Sequence, residues 1–200
     1  MPEDRNVVSV PSTVIDRQDS ILLVIDLQEG FLKRLSPERR DAVLDYCRFV
    51  VEAAGRFAVP MFVTVEDPRR NGMTAAEVHR CIDSSVPQRD KRVFGLCGQD
   101  DLRNAILDQP KRTAILIGMD TDVCVLQSAV GLMKAGFRTV IVSEATEAPG
   151  RGRDDGLARA AFFGAEIVSA RGLYYEWMRT LEGLAMMESA PIAAPVGMIF

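Results

Sequence analysis

The chain has 200 residues, of which 48% are hydrophobic, so it can bury a core without metals or disulfides, and we expect one domain over residues 1–200. The formal net charge of −4 disfavours a nucleic-acid interface and a polybasic membrane patch. The four cysteines have no metal-ligand spacing and the chain starts without a secretory leader, so we expect a cytoplasmic protein with reduced thiols. The apolar runs are all short, so we expect no membrane partner.

The first predicted elements are a surface arm and a buried strand. Residues 1–19 mix polar and β-branched residues with two prolines, which is typical of an arm lying on the domain surface. Residues 20–26, SILLVID, form an apolar run that ends in Asp26. Buried parallel strands have this pattern, and ligand sites lie beyond the carboxyl ends of such strands. Asp26 is therefore a candidate functional residue, with a cap of the next turn as its structural alternative.

A helix and a second strand follow. Ser36 and Pro37 are typical of an N-cap and a first helical position, and apolar residues then recur on one face as far as Ala54. Cys47 lies on this face, so we expect it to be a buried structural thiol. Residues 59–66, VPMFVTVE, are predicted to form the second strand.

The connection over residues 67–90 is polar and long, which is typical of a wall or lid over a site. Within it, T-A-A-E beginning at Thr74 matches a capping box and predicts a short helix. That helix carries His79, the only histidine of the chain. No acidic cluster accompanies it in the sequence, so we expect an exposed histidine rather than a metal ligand.

Residues 91–94 are predicted to form a short strand or a strand edge, followed by a loop and a helix over residues 100–107. The role of Lys91 is ambiguous from its position alone, because a single lysine is most often a solvated cation. Arg138, which leads into a strand over residues 139–143, is interpreted as a solvated charge at a strand edge.

A strand, a tight turn and a helix are predicted around Cys124. Residues 113–118 are apolar and rich in β-branched side chains, as a buried strand requires. Thr121 or Asp122 can cap the helix that follows, and Gly136 fits the left-handed residue at its end. Cys124 then lies in the first helical turn, where unpaired N–H groups and the helix dipole favour a thiolate.

The rest of the chain supplies two helices and one more strand. The helices are predicted over residues 153–163 and 171–184, and the strand lies between them over residues 165–169. Residues 185–200 form an apolar, proline-rich tail, for which we expect a contact with a neighbouring subunit.

The alternation of strands and helices predicts the fold class α/β, a three-layer α/β/α sandwich around a central, mostly parallel sheet of about six strands. The sequence contains neither the glycine pattern of a dinucleotide-binding turn nor that of a P-loop, and no G-x-S-x-G elbow. These absences disfavour dinucleotide binding, P-loop chemistry and an ordinary α/β-hydrolase.

Three side chains at predicted strand ends form a chemically coherent set: Asp26, Lys91 and Cys124. A thiolate is a strong nucleophile, a nearby ammonium favours its ionised form, and an aspartate can take the thiol proton and return it to a leaving amine. Acyl transfer through a thioester is the reaction that such a set would catalyse. Spacing alone does not single out Lys91 among the lysines.

From about Ile21 to Leu181 the sequence resembles the isochorismatase-like cysteine hydrolase superfamily, which includes nicotinamidases and N-carbamoylsarcosine amidase. Three segments carry the resemblance: LLVIDLQEGF, KRVFGLCGQDDL and GMDTDVCVLQSAVGLMKAGFRTVIVSEAT. The resemblance implies the fold of that superfamily. It also implies a catalytic aspartate at Asp26, a catalytic lysine at Lys91 and a catalytic cysteine at Cys124.

The same resemblance implies a cis peptide bond between Met119 and Asp120. It further implies an oxyanion hole made by the backbone N–H groups of Asp120 and Cys124. The Asp120 side chain would then lie near the substrate, where it either contacts a polar or cationic group or makes a structural hydrogen bond.

The substrate pocket is expected to be lined by residues next to the three motifs, together with the connection over residues 67–90 and the tail of a neighbouring subunit. The expected lining residues are Phe31, Leu32, Asp120, Thr121 and Cys97. For Cys97, a packed neutral thiol is the alternative.

Departures from the family pattern narrow the expected chemistry. Metal-dependent nicotinamidases hold a divalent ion with an aspartate and histidines, whereas this chain has one histidine, so we expect no metal and no cofactor. Isochorismatases proper cleave a vinyl ether without a nucleophilic cysteine, so Cys124 favours an amidase-like reaction. We therefore predict a metal-independent cysteine hydrolase that cleaves a C–N bond of a small amide, carbamoyl or ureido compound through a thioester acyl-enzyme.

The predicted assembly is a homo-oligomer, a dimer or a tetramer. Two alternatives to the predicted function stay open. One is hydrolysis of a non-amide bond, an ester or a vinyl ether, on the same scaffold. The other is a non-catalytic oligomeric module or a thiol redox sensor.

Overall fold

A computed structural model describes residues 14–189 and 191–200, so the expected arm over residues 1–13 lies outside the described residues. Within the described part of the chain, six strands form one parallel sheet. The strands are β1 (Ser20–Ile25), β2 (Met61–Glu66), β3 (Gln88–Lys91), β4 (Thr113–Met119), β5 (Arg138–Glu147) and β6 (Glu166–Val168). The strand order is β3-β2-β1-β4-β5-β6.

Helices connect these strands and cover the sheet. They are α1 (Glu29–Leu32), α2 (Pro37–Arg56), α3 (Pro68–Asn71), α4 (Ala76–His79), α5 (Asp100–Leu107), α6 (Leu126–Lys134), α7 (Gly152–Phe163), α8 (Ala170–Met178) and α9 (Leu181–Glu188). A 3₁₀ turn spans Leu96–Gly98 and a π-helical turn spans Thr121–Val125. The predicted α/β/α sandwich is confirmed.

Each face of the sheet has its own apolar core, because successive side chains of a strand point to opposite faces. In β1, Leu22 and Val24 pack into a core that α2 and α8 cover. Their neighbours Leu23 and Ile25 pack into a second core with α5 and α6. All six residues of β1 are buried, which explains the uninterrupted apolar pattern of this strand.

The strand order reverses around β1, which lies between β2 and β4. A crevice opens at such a point, beyond the carboxyl ends of the strands, because the connections on the two sides run away from each other. The carboxyl ends of β1, β2, β3 and β4 lie side by side here.

Several local predictions are confirmed. Ser36 caps α2, its hydroxyl oxygen accepting the N–H of Arg39 at 3.4 Å, and Pro37 is the first helical residue. Cys47 is fully buried and donates to a main-chain carbonyl oxygen of β5. His79 is exposed, as expected.

Other local predictions are wrong where tertiary contacts override the sequence pattern. Lys91 ends β3 instead of beginning a strand, because main-chain pairing with β2 places it beside Glu66. Thr74 does not cap α4. It forms an isolated antiparallel bridge with Gln28, and Ala75 occupies the N-cap position. The capping-box pattern of this segment therefore has no structural counterpart.

Arg138 begins β5 and its side chain is 27% exposed, but its charge is paired. Its guanidinium forms an ion pair with both carboxylate oxygens of Glu166, at 2.7 Å each, across the pair of strands β5 and β6. Ile15, in the described part of the predicted arm, is fully buried, and its N–H donates to the carboxylate of Glu176. The arm therefore contributes to the core at this residue.

The C-terminal part also differs from the prediction. Instead of one helix over residues 171–184, α8 ends before Arg179, whose φ of 70° breaks the helix. The tail packs on its own chain: the Phe200 ring lies 5.3 Å from the Tyr174 ring, and Ile192 is buried. A partner subunit is therefore not needed to explain Ile192, whereas the Phe200 side chain stays 47% exposed.

Candidate active site

Four chemically reactive side chains lie together at the carboxyl ends of adjacent strands. Asp26 follows β1, Glu66 ends β2, Lys91 ends β3, and Cys124 lies in the π-helical turn after β4. The strand order brings these residues together although 98 positions separate the first from the last in the sequence. Asp26, Lys91 and Cys124 were expected to meet, whereas Glu66 was not predicted.

The Cys124 thiol is buried and lies between two charged groups. Its Sγ is 3.6 Å from Lys91 Nζ and 3.4 Å from Glu66 Oε2, to which the thiol donates a hydrogen bond. The helix start differs from the prediction, because the N-cap position is Asp120 and no side chain caps this turn. Val123 and Val125 both donate their N–H to the carbonyl oxygen of Asp120.

The pKa of Cys124 lies far above that of an ordinary cysteine. Burial is the largest cause, and the negative charges of Asp26 and Glu66 add to it. Lys91 acts in the opposite direction but does not outweigh them. The expectation that this helix start favours the thiolate form of Cys124 is therefore wrong for the free protein. The thiol is neutral, and a base has to take its proton before the sulfur can attack.

Lys91 is a fully buried lysine whose ammonium lies at the centre of the site. Its Nζ is 2.9 Å from Asp26 Oδ2 and 3.3 Å from Glu66 Oε2, and it donates to the carbonyl oxygens of Val93 and Phe94. Burial lowers the pKa of Lys91, but the surrounding negative charges outweigh burial, and the pKa lies above its usual value. The side chain is therefore a cation at neutral pH.

A hydrogen bond and an ion pair with Lys91 fix the Asp26 side chain. Its backbone has a φ of 47°, its Oδ1 accepts the Thr64 hydroxyl at 3.0 Å, and its Oδ2 pairs with Lys91. The carboxyl is fully buried, and burial raises its pKa to about 6 even though Lys91 lowers it. The predicted functional aspartate thus lies within the site as one half of a buried ion pair.

A cavity of about 380 Å³ opens over the thiol. Two of the five predicted pocket residues, Phe31 and Asp120, line it. The full lining combines aromatic, cationic and acidic side chains with one amide, one aliphatic side chain and the thiol: Phe31, Arg34, Glu66, Asp67, Arg70, Asn71, Phe94, Asp120, Val123 and Cys124. The start of the connection over residues 67–90 therefore forms a wall of the cavity, as expected.

The other three predicted pocket residues do not line this cavity. Leu32 is fully buried in the core under α2, because neighbouring positions of α1 point in different directions. Thr121 is also fully buried and shares a hydrogen bond of 2.9 Å with the hydroxyl of Thr146. Cys97 packs at the edge of the second core, which matches its alternative assignment as a packed thiol.

The Asp120 side chain belongs to the cavity wall and has one cationic partner. Its Oδ2 lies 3.4 Å from Arg34, whose guanidinium stacks over the Phe31 ring at 4.6 Å. Burial raises the pKa of Asp120 to about 6, and Arg34 opposes this rise. The peptide bond between Met119 and Asp120 is cis, as the resemblance implied.

Comparison with known proteins places these observations in a family. The model of the isochorismatase domain matches residues 20–171. The chain belongs to the isochorismatase family. The secreted isochorismatase effector Isc1 of Phytophthora sojae is 29% identical over 161 residues, which are 78% of this chain and 76% of the relative.

Two solved structures have folds similar to that of this family member. YcaC from Escherichia coli, described as an octameric hydrolase of unknown specificity, has a TM-score of 0.78 at 23% identity and covers 90% of this chain and 92% of its own. Nicotinamidase PncA from Bacillus subtilis has a TM-score of 0.63 at 17% identity and covers 76% and 99%. Within the described residues, no helix is both long and apolar enough to cross a bilayer.

The site of this isochorismatase-family hydrolase contains three possible metal ligands. Ligand atoms of Asp26, Glu66 and Cys124 lie within 4.8 Å of one another. Lys91 Nζ, however, lies within 3.6 Å of all three groups and supplies the positive charge between them. A divalent ion at the same place would be repelled by this ammonium at short range, so these residues do not fit a metal.

Proposed function

We propose that this protein is a metal-independent cysteine hydrolase that cleaves a C–N bond in a small amide, carbamoyl or ureido compound. The observation that carries the proposal is the position of the Lys91 ammonium, 3.6 Å from the Cys124 sulfur and 2.9 Å from the Asp26 carboxylate, next to a thiol that lines a cavity. A fixed cation beside a neutral buried thiol stabilises the charge that appears on sulfur only when the thiol reacts.

The proposed reaction proceeds through a thioester. Cys124 loses its proton to a nearby carboxylate and attacks the carbonyl carbon, while Lys91, held by Asp26, stabilises the developing thiolate. The N–H groups of Asp120 and Cys124 are proposed to bind the oxyanion. The C–N bond then breaks, the protonated amine leaves, and water hydrolyses the thioester. The expected occupant of the cavity is a small molecule, consistent with the volume of about 380 Å³.

Ammonia or amine release from a panel of small amides, carbamoyl compounds and ureido acids tests this proposal. Cys124→Ala and Cys124→Ser should each lose turnover while keeping the circular dichroism spectrum of the wild type. Mass spectrometry should detect an acyl adduct on Cys124 during turnover. Undiminished amine release by Cys124→Ala would contradict the proposal.

Hydrolysis of a C–O bond is a second candidate, favoured by the match to the isochorismatase domain. Ester or vinyl ether substrates that turn over in both the wild type and Cys124→Ala, without amine release from any amide, would support it. The neutral, buried state of Cys124 disfavours the redox-sensor alternative, because sensor cysteines are accessible and have a low pKa.

We further propose a homo-oligomer and a cytoplasmic location. The octameric description of YcaC supports the first, and four free cysteines support the second. The Phytophthora sojae relative is described as secreted. Light scattering coupled to size-exclusion chromatography measures the oligomeric state. A monomer at micromolar concentration would contradict the first proposal.

A further inference from the structure

Side-chain hydrogen bonds fix the main chain of Glu66 at the end of β2. Its N–H donates to Gln28 Oε1 at 2.7 Å, and its carbonyl oxygen accepts Gln28 Nε2 at 3.1 Å. Asn71 Nδ2 donates to the same carbonyl oxygen at 2.9 Å, and Gln28 is fully buried. Two side chains are therefore used to fix the main chain of one residue. The Glu66 side chain consequently starts from a well-defined point at the end of β2.

The two carboxylates of the site have different surroundings. Glu66 Oε2 is the hydrogen-bond acceptor of the Cys124 thiol at 3.4 Å, and the Glu66 side chain lines the cavity and is 21% exposed. Asp26 is fully buried, does not line the cavity, and has its two oxygens occupied by Thr64 and Lys91. Within the described part of the chain, Cys124 makes no hydrogen bond to Asp26.

We propose that Glu66 is the catalytic residue that carries the proton between the Cys124 sulfur and the substrate, and that Asp26 positions Lys91. The inference rests on the proposed acyl-enzyme chemistry and assigns a group that the resemblance did not supply. Glu66 alone among the two carboxylates touches both the thiol and the space in which a leaving group and a water molecule would lie.

The proton can be followed through the whole cycle. The S–H bond breaks as Glu66 Oε2 takes the proton and the sulfur forms a bond to the carbonyl carbon. Glu66 then protonates the leaving nitrogen as the C–N bond breaks. A water molecule enters, gives a proton to Glu66 and adds to the thioester, and the sulfur takes that proton back as the C–S bond breaks. The sum is amide plus water to acid plus amine, with Glu66 unchanged.

The structural alternative is that Glu66 serves only as a partner of the Lys91 ammonium, 3.3 Å away. Under that alternative, replacing the carboxylate changes the electrostatic environment of the thiol. It does not change how strongly the rate depends on protonation of the leaving group. Dependence on the leaving group therefore separates the two roles.

The experiment compares the wild type with Glu66→Gln, which keeps the shape of the side chain but cannot carry a proton. Glu29→Gln is the matched control, since it removes the same charge from an exposed glutamate that pairs with Arg40. The probes are p-nitrophenyl acetate, whose phenol leaves without protonation, and phenyl acetate, whose phenol has a pKa of ~10 like that of tyrosine. Acetylation and deacetylation of Cys124 are followed by mass spectrometry.

We expect the ratio of acetylation rates, p-nitrophenyl over phenyl acetate, to rise at least about tenfold in Glu66→Gln relative to both the wild type and Glu29→Gln. Acetyl-Cys124 should also persist, with deacetylation slower by about a hundredfold, because the water has lost its base. If Glu66→Gln fails to fold, Glu66→Ala is used, and added formate should restore deacetylation.

An unchanged ratio together with unchanged deacetylation would leave Glu66 as an ion-pair partner only and would overturn the proposal. The same changes in Asp26→Asn instead of Glu66→Gln would also overturn it, by assigning the proton to Asp26. No acetyl group on Cys124 in the wild type would contradict the proposed acyl-enzyme itself, which distinguishes that failure from a failure of the role of Glu66.

Discussion

Replacing Lys91 by methionine removes the only cation that faces the buried Asp26 carboxylate among the described residues. The two charges are 2.9 Å apart and both side chains are fully buried, so neither has water to replace the lost partner. Removing one member of such a pair costs about 3–5 kcal/mol, because an uncompensated charge stays in the interior. The carbonyl oxygens of Val93 and Phe94 lose a donor as well. We therefore expect Lys91→Met to lower the free energy of unfolding by at least about 3 kcal/mol.

The loss should depend on pH in a definite direction. Lys91 lowers the pKa of Asp26, so in Lys91→Met this pKa rises further above about 6. A carboxyl whose pKa is higher in the folded than in the unfolded state favours folding at low pH, and this contribution is lost as the pH rises through the folded value. The variant should consequently be less destabilised at pH 5 than at pH 8.

Urea denaturation of the wild type, Lys91→Met, Asp26→Asn and the double variant measures the coupling of the two side chains. The double variant should recover more than half of the stability lost in Lys91→Met, since it contains no unpaired charge that is fully buried; Glu66, which also loses Lys91, is 21% exposed. Alkylation of Cys124 by iodoacetamide should be slower in Lys91→Met, because Lys91 lowers the pKa of the thiol. An unfolding free energy of Lys91→Met within about 1 kcal/mol of the wild type, or a double variant no more stable than Lys91→Met, would contradict this prediction.

Two further predictions concern stability. Burial raises the pKa of Asp26 from 3.8 to about 6, so the difference in unfolding free energy between the wild type and Asp26→Asn should fall by about 2 kcal/mol as the pH rises from 4 to 7. A difference independent of pH in urea denaturation would contradict this. Gly118 has a φ of 117°, and a Cβ there would lie 1.9 Å from the Ile25 carbonyl oxygen. Gly118→Ala should therefore lose more than ~4 kcal/mol or fail to fold. Gly136→Ala, with a φ of 89° but nothing within 4 Å, should lose only ~1–2 kcal/mol. Equal thermal unfolding of the two variants would exclude a steric cause.

The sequence predicted most of the fold because strands and helices have different apolar periods. The run from Ser20 to Ile25 has no polar interruption, as a strand buried on both faces requires, and the Ser36 cap marked the start of α2 correctly. The errors fall where local signals were weak or misleading. β3, whose sequence is QRDK, has no apolar pattern, and only its pairing with β2 makes it a strand.

Of the four residues of the candidate site, three were predicted from the sequence and one was not. Asp26 was found because it ends an apolar run, Cys124 because it lies in the first turn of a predicted helix, and Lys91 because its motif resembles that of a family. Glu66 carried the same signal as Asp26, an acid at the end of a buried strand, but no motif singled it out. Its distance of 3.4 Å from the thiol follows from the strand order.

The fold class, the family and three side chains of the site could be predicted from the sequence, because they depend on local patterns and contiguous motifs. The charge state of Cys124, the fourth member of the site and the residues that line the cavity could not. They depend on burial and on electrostatic interactions, which are summed over elements far apart in the chain. The helix start alone favoured a thiolate, whereas burial and two carboxylates from β1 and β2 hold the thiol neutral.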